Sequence, residues 1–248
     1  MDFWTIAETF SSAVEQSTCL DDLRHVLEAM ARDMGFQFFA LAHHVDIPRA
    51  PQPAIRIHNY PVEWEEYFDA EQLGPSDPVH RASHLTNVGF HWSKLPQIIQ
   101  LSTRDRAILE RSQRAGIGEG FTVPAHIPGE SAGSCSFATA AGITLRPEWI
   151  PLVQFVGATA FEGARRLSGI GRPDPDHPRL SDRMRDCIYW AARGKSDWEI
   201  SQILGIGHDT ASQHLKQARS RYGVANRTQL TIHALYDGAL TFTDALKR

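Results

Sequence analysis

Twelve residues, SGIGRPDPDHPR at 168–179, constrain the fold of this chain more than any other stretch. They combine two glycines, three prolines and alternating charge with almost no apolar side chain, so they carry neither a helical nor a strand period and cannot enter a core. Such a segment reads as an exposed linker, and it predicts two domains, residues 1–167 and residues 180–248. The 248 residues are 42% hydrophobic and 22% charged, which excludes general disorder and leaves enough apolar material for a core on each side. The net charge of −4 is unevenly spread. From Arg172 onward twelve Lys and Arg face nine Asp and Glu, a balance of +3, which leaves −7 for the preceding residues. The C-terminal part is the one suited to meet phosphate.

The first domain mixes helix and strand signals. Leu23, Val26, Leu27, Met30 and Met34 recur at helical spacing and stop at Gly35, and FQFFALAHH after them reads as a buried strand. AIRIHNY (54–60) alternates as a strand, and Pro61 can start the helix PVEWEEYFDAEQ. TRDRAILERSQRAG reads as a helix, GFTVPAHI and GSCSFATAAGI as a strand pair, and residues 147–167 as a long closing helix. The glycine-rich GIGEGF (116–121) leads into a strand and not a helix, so it reads as a turn and not a phosphate cradle. Helices on a central antiparallel sheet make an α-β-α sandwich, a fold that encloses small ligands.

After the linker every signal is helical. SDWEISQIL opens with Ser196 and has Glu199 three residues on, the reciprocal arrangement that caps two backbone donors. Gly205 permits a sharp turn, and the next helix sets Ala211, Leu215, Ala218 and Tyr222 on one stripe. Its other face carries Thr210, Ser212, Gln213, Lys216, Gln217, Arg219 and Ser220, short hydroxyls, amides and cations of the kind that meet phosphate oxygens and base edges. Spacing alone leaves two readings open, a helix-turn-helix on DNA or a plain helical corner in a bundle.

Actual residues separate them. LSDR (180–183), AARGKS (191–196), EIS (199–201), Leu204, Thr210, HLKQAR (214–219), Val224 and NRT (226–228) resemble the DNA-binding module of the LuxR family of bacterial transcription regulators. Met184 stands where that family usually has Glu, and Gly207 where it has a capping Ser. The resemblance implies an all-α, four-helix helix-turn-helix domain, and an α+β chain overall. It also implies double-stranded promoter DNA as a partner, with Thr210, Ser212, Gln213, Lys216, Gln217 and Arg219 facing it. A homodimer is expected, and RNA polymerase as a further partner if the protein is an activator.

In the first domain Tyr60, Trp64, Asp77 and Trp92 have two readings, core aromatics or a pocket. A carboxylate beside Trp and Tyr edges supplies one acceptor and two donors, which suits a neutral ligand with an amide N–H and two carbonyls. These residues resemble the autoinducer domain of the LasR-like and TraR-like acyl-homoserine-lactone receptors of the same family, over most of residues 20–165. The resemblance implies that Trp64 donates to the lactone carbonyl, Asp77 accepts from the ligand amide, and Tyr60 bonds the acyl carbonyl. It further implies that Trp92 packs on the lactone ring, that Gly120 begins the strand beside the pocket, and that Ser136 reaches the acyl carbonyl. Phe68 departs from the pattern, since Tyr is usual there, and the adjacent Tyr67 points about 100° away on a helix.

Other chemistries lack a constellation. His43 and His44 point to opposite faces of a strand and cannot chelate as a pair, and no HExxH, P-loop, GxSxG or other ligand spacing occurs, so neither a metal nor a catalytic residue is expected. Cys19, Cys135 and Cys187 are odd in number and unpaired in spacing, which fits a reducing cytoplasm. The N-terminal MDFWTIAETF has no basic region, and IPLVQFVGATAF is too short to span a bilayer, so no export and no membrane partner are expected. The expected protein is a quorum-sensing regulator without a cofactor, binding an N-acyl-homoserine lactone or related signal. Two alternatives are a response regulator that shares the DNA module and a lactone-modifying enzyme.

Overall fold

The structure is a computed structural model that describes residues 3–45, 54–127, 130–170 and 179–246. The chain divides into two compact units between Arg172 and Pro173. The greater part of the expected linker, residues 171–178, lies outside the described residues.

In the first unit, α1 (Phe3–Gln16) and α2 (Leu20–Asp33) precede β1 (Phe38–His43) and β2 (Arg56–His58). Then come α3 (Val62–Ala70), α4 (Pro78–Ser83), β3 (Phe90–His91), α5 (Leu95–Ile98), α6 (Thr103–Arg114), β4 (Ile117–Ala125), β5 (Gly133–Ala140) and α7 (Ile150–Leu167). The strands form one antiparallel sheet in the order β2-β1-β5-β4-β3. Side chains alternate across it. Phe39, Leu41, Ile57, Val123, Cys135 and Phe137 point to one face, where they form a continuous core with Phe10, Val14, Leu23, Leu27, Val156 and Phe161 from α1, α2 and α7. Each such large side chain removed from water contributes about 1.5–3 kcal/mol, so this face anchors the unit. Apart from Phe38, the intervening positions are small: Ala40 and Ala42 on β1, Ser134, Ser136 and Ala138 on β5. Small side chains leave room on this side of the sheet, and a cavity lies there.

The helix at 150–167 and the strand pair β4–β5 match the expected elements. Four elements are additional: α1, the short α4 and α5, and the two-residue strand β3. GIGEGF is a correction. Gly116 lies in the expected turn, at φ 87, but Ile117 already belongs to β4, so Gly118 and Gly120 sit inside the strand and Gly120 does not begin it; the pairing with β5 is irregular between Ile117 and Gly120. Missing Cβ atoms let the backbone of β4 come close to its neighbours, which a reading from glycine content alone takes for a turn.

The second unit is wholly helical: α8 (Asp182–Ala192), α9 (Asp197–Leu204), α10 (His208–Tyr222), α11 (Arg227–Tyr236) and the short α12 (Phe242–Leu246), which follows the four expected helices. Ser181 caps α8, its Oγ accepting from the Met184 N–H. At α9 the reciprocal cap is formed, with Ser196 Oγ accepting from the Glu199 N–H at 3.3 Å and Glu199 Oε2 accepting from the Ser196 N–H at 2.8 Å. Gly205 ends α9 at φ 63, a left-handed conformation that glycine adopts without strain. Gly207 begins α10 with no side-chain cap. Met184, Cys187, Ile188, Ile200, Ala211, Leu215, Ala218, Leu230 and Ala234 form the core of this unit.

Candidate functional site

A cavity of about 470 Å³ opens between the small-residue face of the sheet and α3 and α4, and beside it lies a chamber of about 50 Å³. Ala40, Ala42, Tyr60, Trp64, Phe68 and His80 line both, so the two are continuous. The chamber also brings in Asp77, Trp92 and Ser136. Six of the seven residues expected at a ligand site therefore meet around one space. The seventh, Gly120, shapes it indirectly: a Cβ there would lie 2.3 Å from Trp92 Cε2. Only glycine lets the Trp92 indole lie flat against β4.

Asp77 is 6% exposed and is the N-cap of α4, with Pro78 as the first helical residue. Its Oδ1 accepts from the N–H groups of Val79 at 2.8 Å and His80 at 3.2 Å. Capping thus consumes one carboxylate oxygen and orients the other, Oδ2, which has no partner among the described residues. The Tyr60 phenol is held neutral, its pKa pushed up by burial and then by the Asp77 charge, so it remains an O–H donor. Trp64 is 7% exposed, and its indole N–H donates to no described residue. One acceptor and two donors face the chamber.

The opposite wall is a closed relay. The Trp92 indole N–H donates to Thr122 Oγ1 at 2.8 Å, and that oxygen lies 2.8 Å from Ser136 Oγ. Ser136 therefore reaches the chamber as a member of this chain. Phe68 packs with its ring 6.2 Å from Trp64 and 5.8 Å from His80, while Tyr67 turns away from the cavity beneath the Arg111 guanidinium.

Sequence reasoning passed over a set of histidines beside the chamber. His44 and His80 stack with centroids 3.8 Å apart, His44 Nδ1 lies 2.8 Å from His84 Nε2, and the His84 and His126 rings are 6.0 Å apart. Burial, then the neighbouring His80, His84 and His126, holds the His44 pKa well below the usual imidazole range. The spacing offered no signal, because these residues come from just past β1, from α4 and its C-cap, and from just past β4. His43 does face the other way, packing its ring against Phe161. Among the described residues no group of three or more His, Cys, Asp or Glu side chains is placed to hold a metal ion.

On the second unit, Thr210, Gln213, Lys216 and Gln217 of α10 are exposed on one side while Ala211, Leu215 and Ala218 are buried on the other. Two expected DNA-facing residues are engaged internally. Ser212 Oγ donates to Asp197 Oδ2 at 2.8 Å, and the half-buried Arg219 donates to the Ala225 carbonyl at 3.4 Å. Asp197 also pairs with Arg227 at 3.2 Å, so Ser212 belongs to a network that locks α9, α10 and α11 together.

A sandwich enclosing a chamber lined by a carboxylate, a tyrosine and two tryptophans, on the same chain as a helix-turn-helix with a polar outer face, fits the class of ligand-responsive transcription regulators. The match to known proteins agrees: the family described as "Autoinducer binding domain" matches residues 20–162, and "Bacterial regulatory proteins, luxR family" matches residues 178–234. The chain belongs to the LuxR family of autoinducer-binding transcriptional regulators. The HTH-type quorum sensing-dependent transcriptional regulator RpaR of Rhodopseudomonas palustris is 30% identical over 216 residues, spanning 86% of each chain. The transcriptional activator protein AhyR of Aeromonas hydrophila is 25% identical over 226 residues, spanning 89% of this chain and 86% of that protein. The crystal structure of Escherichia coli SdiA shares the fold, with a TM-score of 0.69 and 21% identity over 97% of this chain and all of that one.

Proposed function

We propose that the chamber holds the polar head of an N-acyl-homoserine lactone and that the adjoining cavity holds its acyl part. The observation that carries this is the Asp77 carboxylate, 6% exposed, with only Oδ1 used in capping α4 and with Trp64 and Tyr60 beside it on the wall of one chamber. Asp77 accepts from the ligand amide, Trp64 donates to the lactone carbonyl, and Tyr60 donates to the acyl carbonyl. Trp92, seated by Gly120, packs on the lactone ring, and Ser136 steadies it through Thr122. Phe68 adds an apolar wall where a hydroxyl is usual.

The ligand-bound protein acts in the cytoplasm as a homodimer on promoter DNA. Thr210, Gln213, Lys216 and Gln217 contact the DNA directly, Ser212 and Arg219 do so after exchanging their internal partners, and RNA polymerase is the further partner at activated promoters. The antiparallel sheet speaks against the response-regulator alternative, which needs a parallel receiver fold. A hydrolytic reading has one geometric support, Ser134 Oγ at 2.9 Å from His44 Nε2. His44 makes a poor general base, since burial depresses its basicity. Binding without turnover is therefore the reading adopted.

Titration calorimetry and mass spectrometry of the purified full-length protein with a set of acyl-homoserine lactones test this. Saturable binding with recovery of the intact lactone is expected. Failure of all to bind, or recovery of the ring-opened product, overturns it.

A further inference from the structure

Tyr60 stands on neither a strand nor a helix. β2 ends at His58 and α3 begins at Val62, so the tyrosine on the chamber wall is carried by a corner made of Asn59, Tyr60 and Pro61. A corner has no ladder or helical turn of its own, so its backbone must be held from its two ends. One end is held by α3, where the Pro61 carbonyl accepts from the N–H groups of Trp64 at 3.0 Å and Glu65 at 3.1 Å.

The other end is held by a single side chain. Phe39 and Asn59 follow the pair Leu41 and Ile57 two residues further along the ladder, and in antiparallel pairing such residues exchange two backbone bonds. Only one of the two is made by backbone groups, the Asn59 N–H donating to the Phe39 carbonyl at 3.2 Å. The Phe39 N–H donates instead to Asn59 Oδ1 at 2.7 Å, and Asn59 Nδ2 donates to the Gln37 carbonyl at 3.1 Å. The side-chain amide thus takes the place of the Asn59 peptide carbonyl, which is released from the ladder. Release lets the chain turn off the sheet at this residue, while the amide keeps the turning point tied to β1. An amide suits the task because it sets an acceptor and a donor side by side on a short stem. Immediately after this tie, the Tyr60 ring packs 6.0 Å from that of Phe38 and lines the chamber with Asp77.

We propose that Asn59 is a positioning residue for ligand recognition, aiming the Tyr60 phenol at the chamber through its two side-chain bonds to the β1 segment. This rests on the lactone reading above, in which Tyr60 donates to the acyl carbonyl, and deepens it. Asn59 touches no ligand and acts on affinity through Tyr60.

Two double-mutant cycles on the full-length protein test this by calorimetry. The probes are N-butanoyl-, N-hexanoyl- and N-octanoyl-homoserine lactone, the tightest of them being carried through both cycles. Tyr60→Phe, which keeps the ring and removes the donor, is expected to weaken binding about three- to tenfold, the range for one lost hydrogen bond. Asn59→Ala should weaken it by a similar factor, and the protein with both changes should bind within about twofold of the weaker single variant. Combined with Asp77→Asn on the separate helix α4, Asn59→Ala should instead multiply the two losses, which general loosening of the fold would do with Tyr60→Phe as well. Asn59→Asp keeps the acceptor for the Phe39 N–H and should recover part of the affinity. If Asn59→Ala does not fold, Asn59→Ser, which keeps one contact, carries both cycles. Losses that multiply with Tyr60→Phe, or an Asn59 variant that binds as the wild type does, overturn the proposal and leave the lactone reading standing. A harmless Tyr60→Phe removes Tyr60 from that reading and overturns the proposal with it. Failure of the wild type to bind any of the three overturns the lactone reading itself.

Discussion

Asp77 shows how one side chain serves folding and recognition together. Oδ1 caps α4 while Oδ2 is presented to the chamber. Because Asn is an equally good N-cap, Asp77→Asn should fold with a near-normal melting temperature. It should nonetheless lose about 1.5–3 kcal/mol of lactone affinity, since a charged acceptor is replaced by an amide. Calorimetry beside a thermal melt checks both halves. Gly120→Ala should separate differently: its Cβ would meet the Trp92 ring at 2.3 Å, so the indole must move and break its bond to Thr122. A loss of about 1–3 kcal/mol of stability is expected from such overpacking, together with weakened lactone binding, read by denaturant unfolding and the same calorimetry.

At the scale of single helices, α9 and α10 depend on caps and on one buried stripe. The Glu199 carboxylate is held at about 2 by the Ser196 backbone N–H and then by Lys195. A depressed pKa means that this cap supports α9 fully above the ordinary carboxylate range and lets go only as pH falls towards 2. Carboxyl NMR through an acid titration should therefore show Glu199 titrating well below the other glutamates. On α10, Leu215 is 4% exposed, and Leu215→Ala should cost about 2–5 kcal/mol by opening a cavity behind the helix. Lys216 is exposed on the opposite side. Lys216→Ala should leave the melting temperature unchanged and reduce the slope of log DNA affinity against log salt by about 1, if the contact is to phosphate. Titration of promoter DNA at several salt concentrations gives that slope.

Taken whole, the molecule carries an acid-sensitive group in its first unit. His44, His80, His84 and His126 converge from just past β1, from α4 and its C-cap, and from just past β4, and His44 is held neutral by burial. An unfolded histidine takes its proton near 6.5, whereas the folded His44 resists until lower pH. The unfolded state therefore binds more protons below 6.5, and stability falls as pH drops through that point. Thermal melts of wild type from pH 8 to pH 5.5 should show this loss, and His44→Gln should reduce it, leaving the share of His58 and His84, whose pKa values burial also lowers. The second unit contributes nothing to this slope through His44, so a probe on Trp190 or Trp198 distinguishes the two.

The helix-turn-helix was legible because its determinants are local. A Ser196–Glu199 cap, a left-handed Gly205 and the apolar stripe of Ala211, Leu215 and Ala218 act within a few residues of one another, and periodicity reports them directly. The α-β-α layering was legible for the same reason, since strand alternation and helical spacing are short-range signals. Asp77–Pro78 in fact announced α4 as a cap and first residue, a signal that sequence analysis used only for the pocket. The aromatic positions could be named by resemblance, but whether they were core or cavity depended on what stands opposite them. That is set by register: Ala40, Ala42, Ser134 and Ser136 come to one face only when β1 and β5 pair as they do, and a slip of one residue would fill the space with Phe39, Leu41 and Phe137. The placement of His58 in line with Ser136, the meeting of four histidines, and the diversion of Ser212 to Asp197 join residues 15 to 82 positions apart. The sequence by itself determined which segments became helix or strand and which faces were apolar, because those follow from neighbours along the chain. The tertiary structure alone decided which polar atoms were left without partners, because a hydrogen bond is satisfied by whatever the fold brings near.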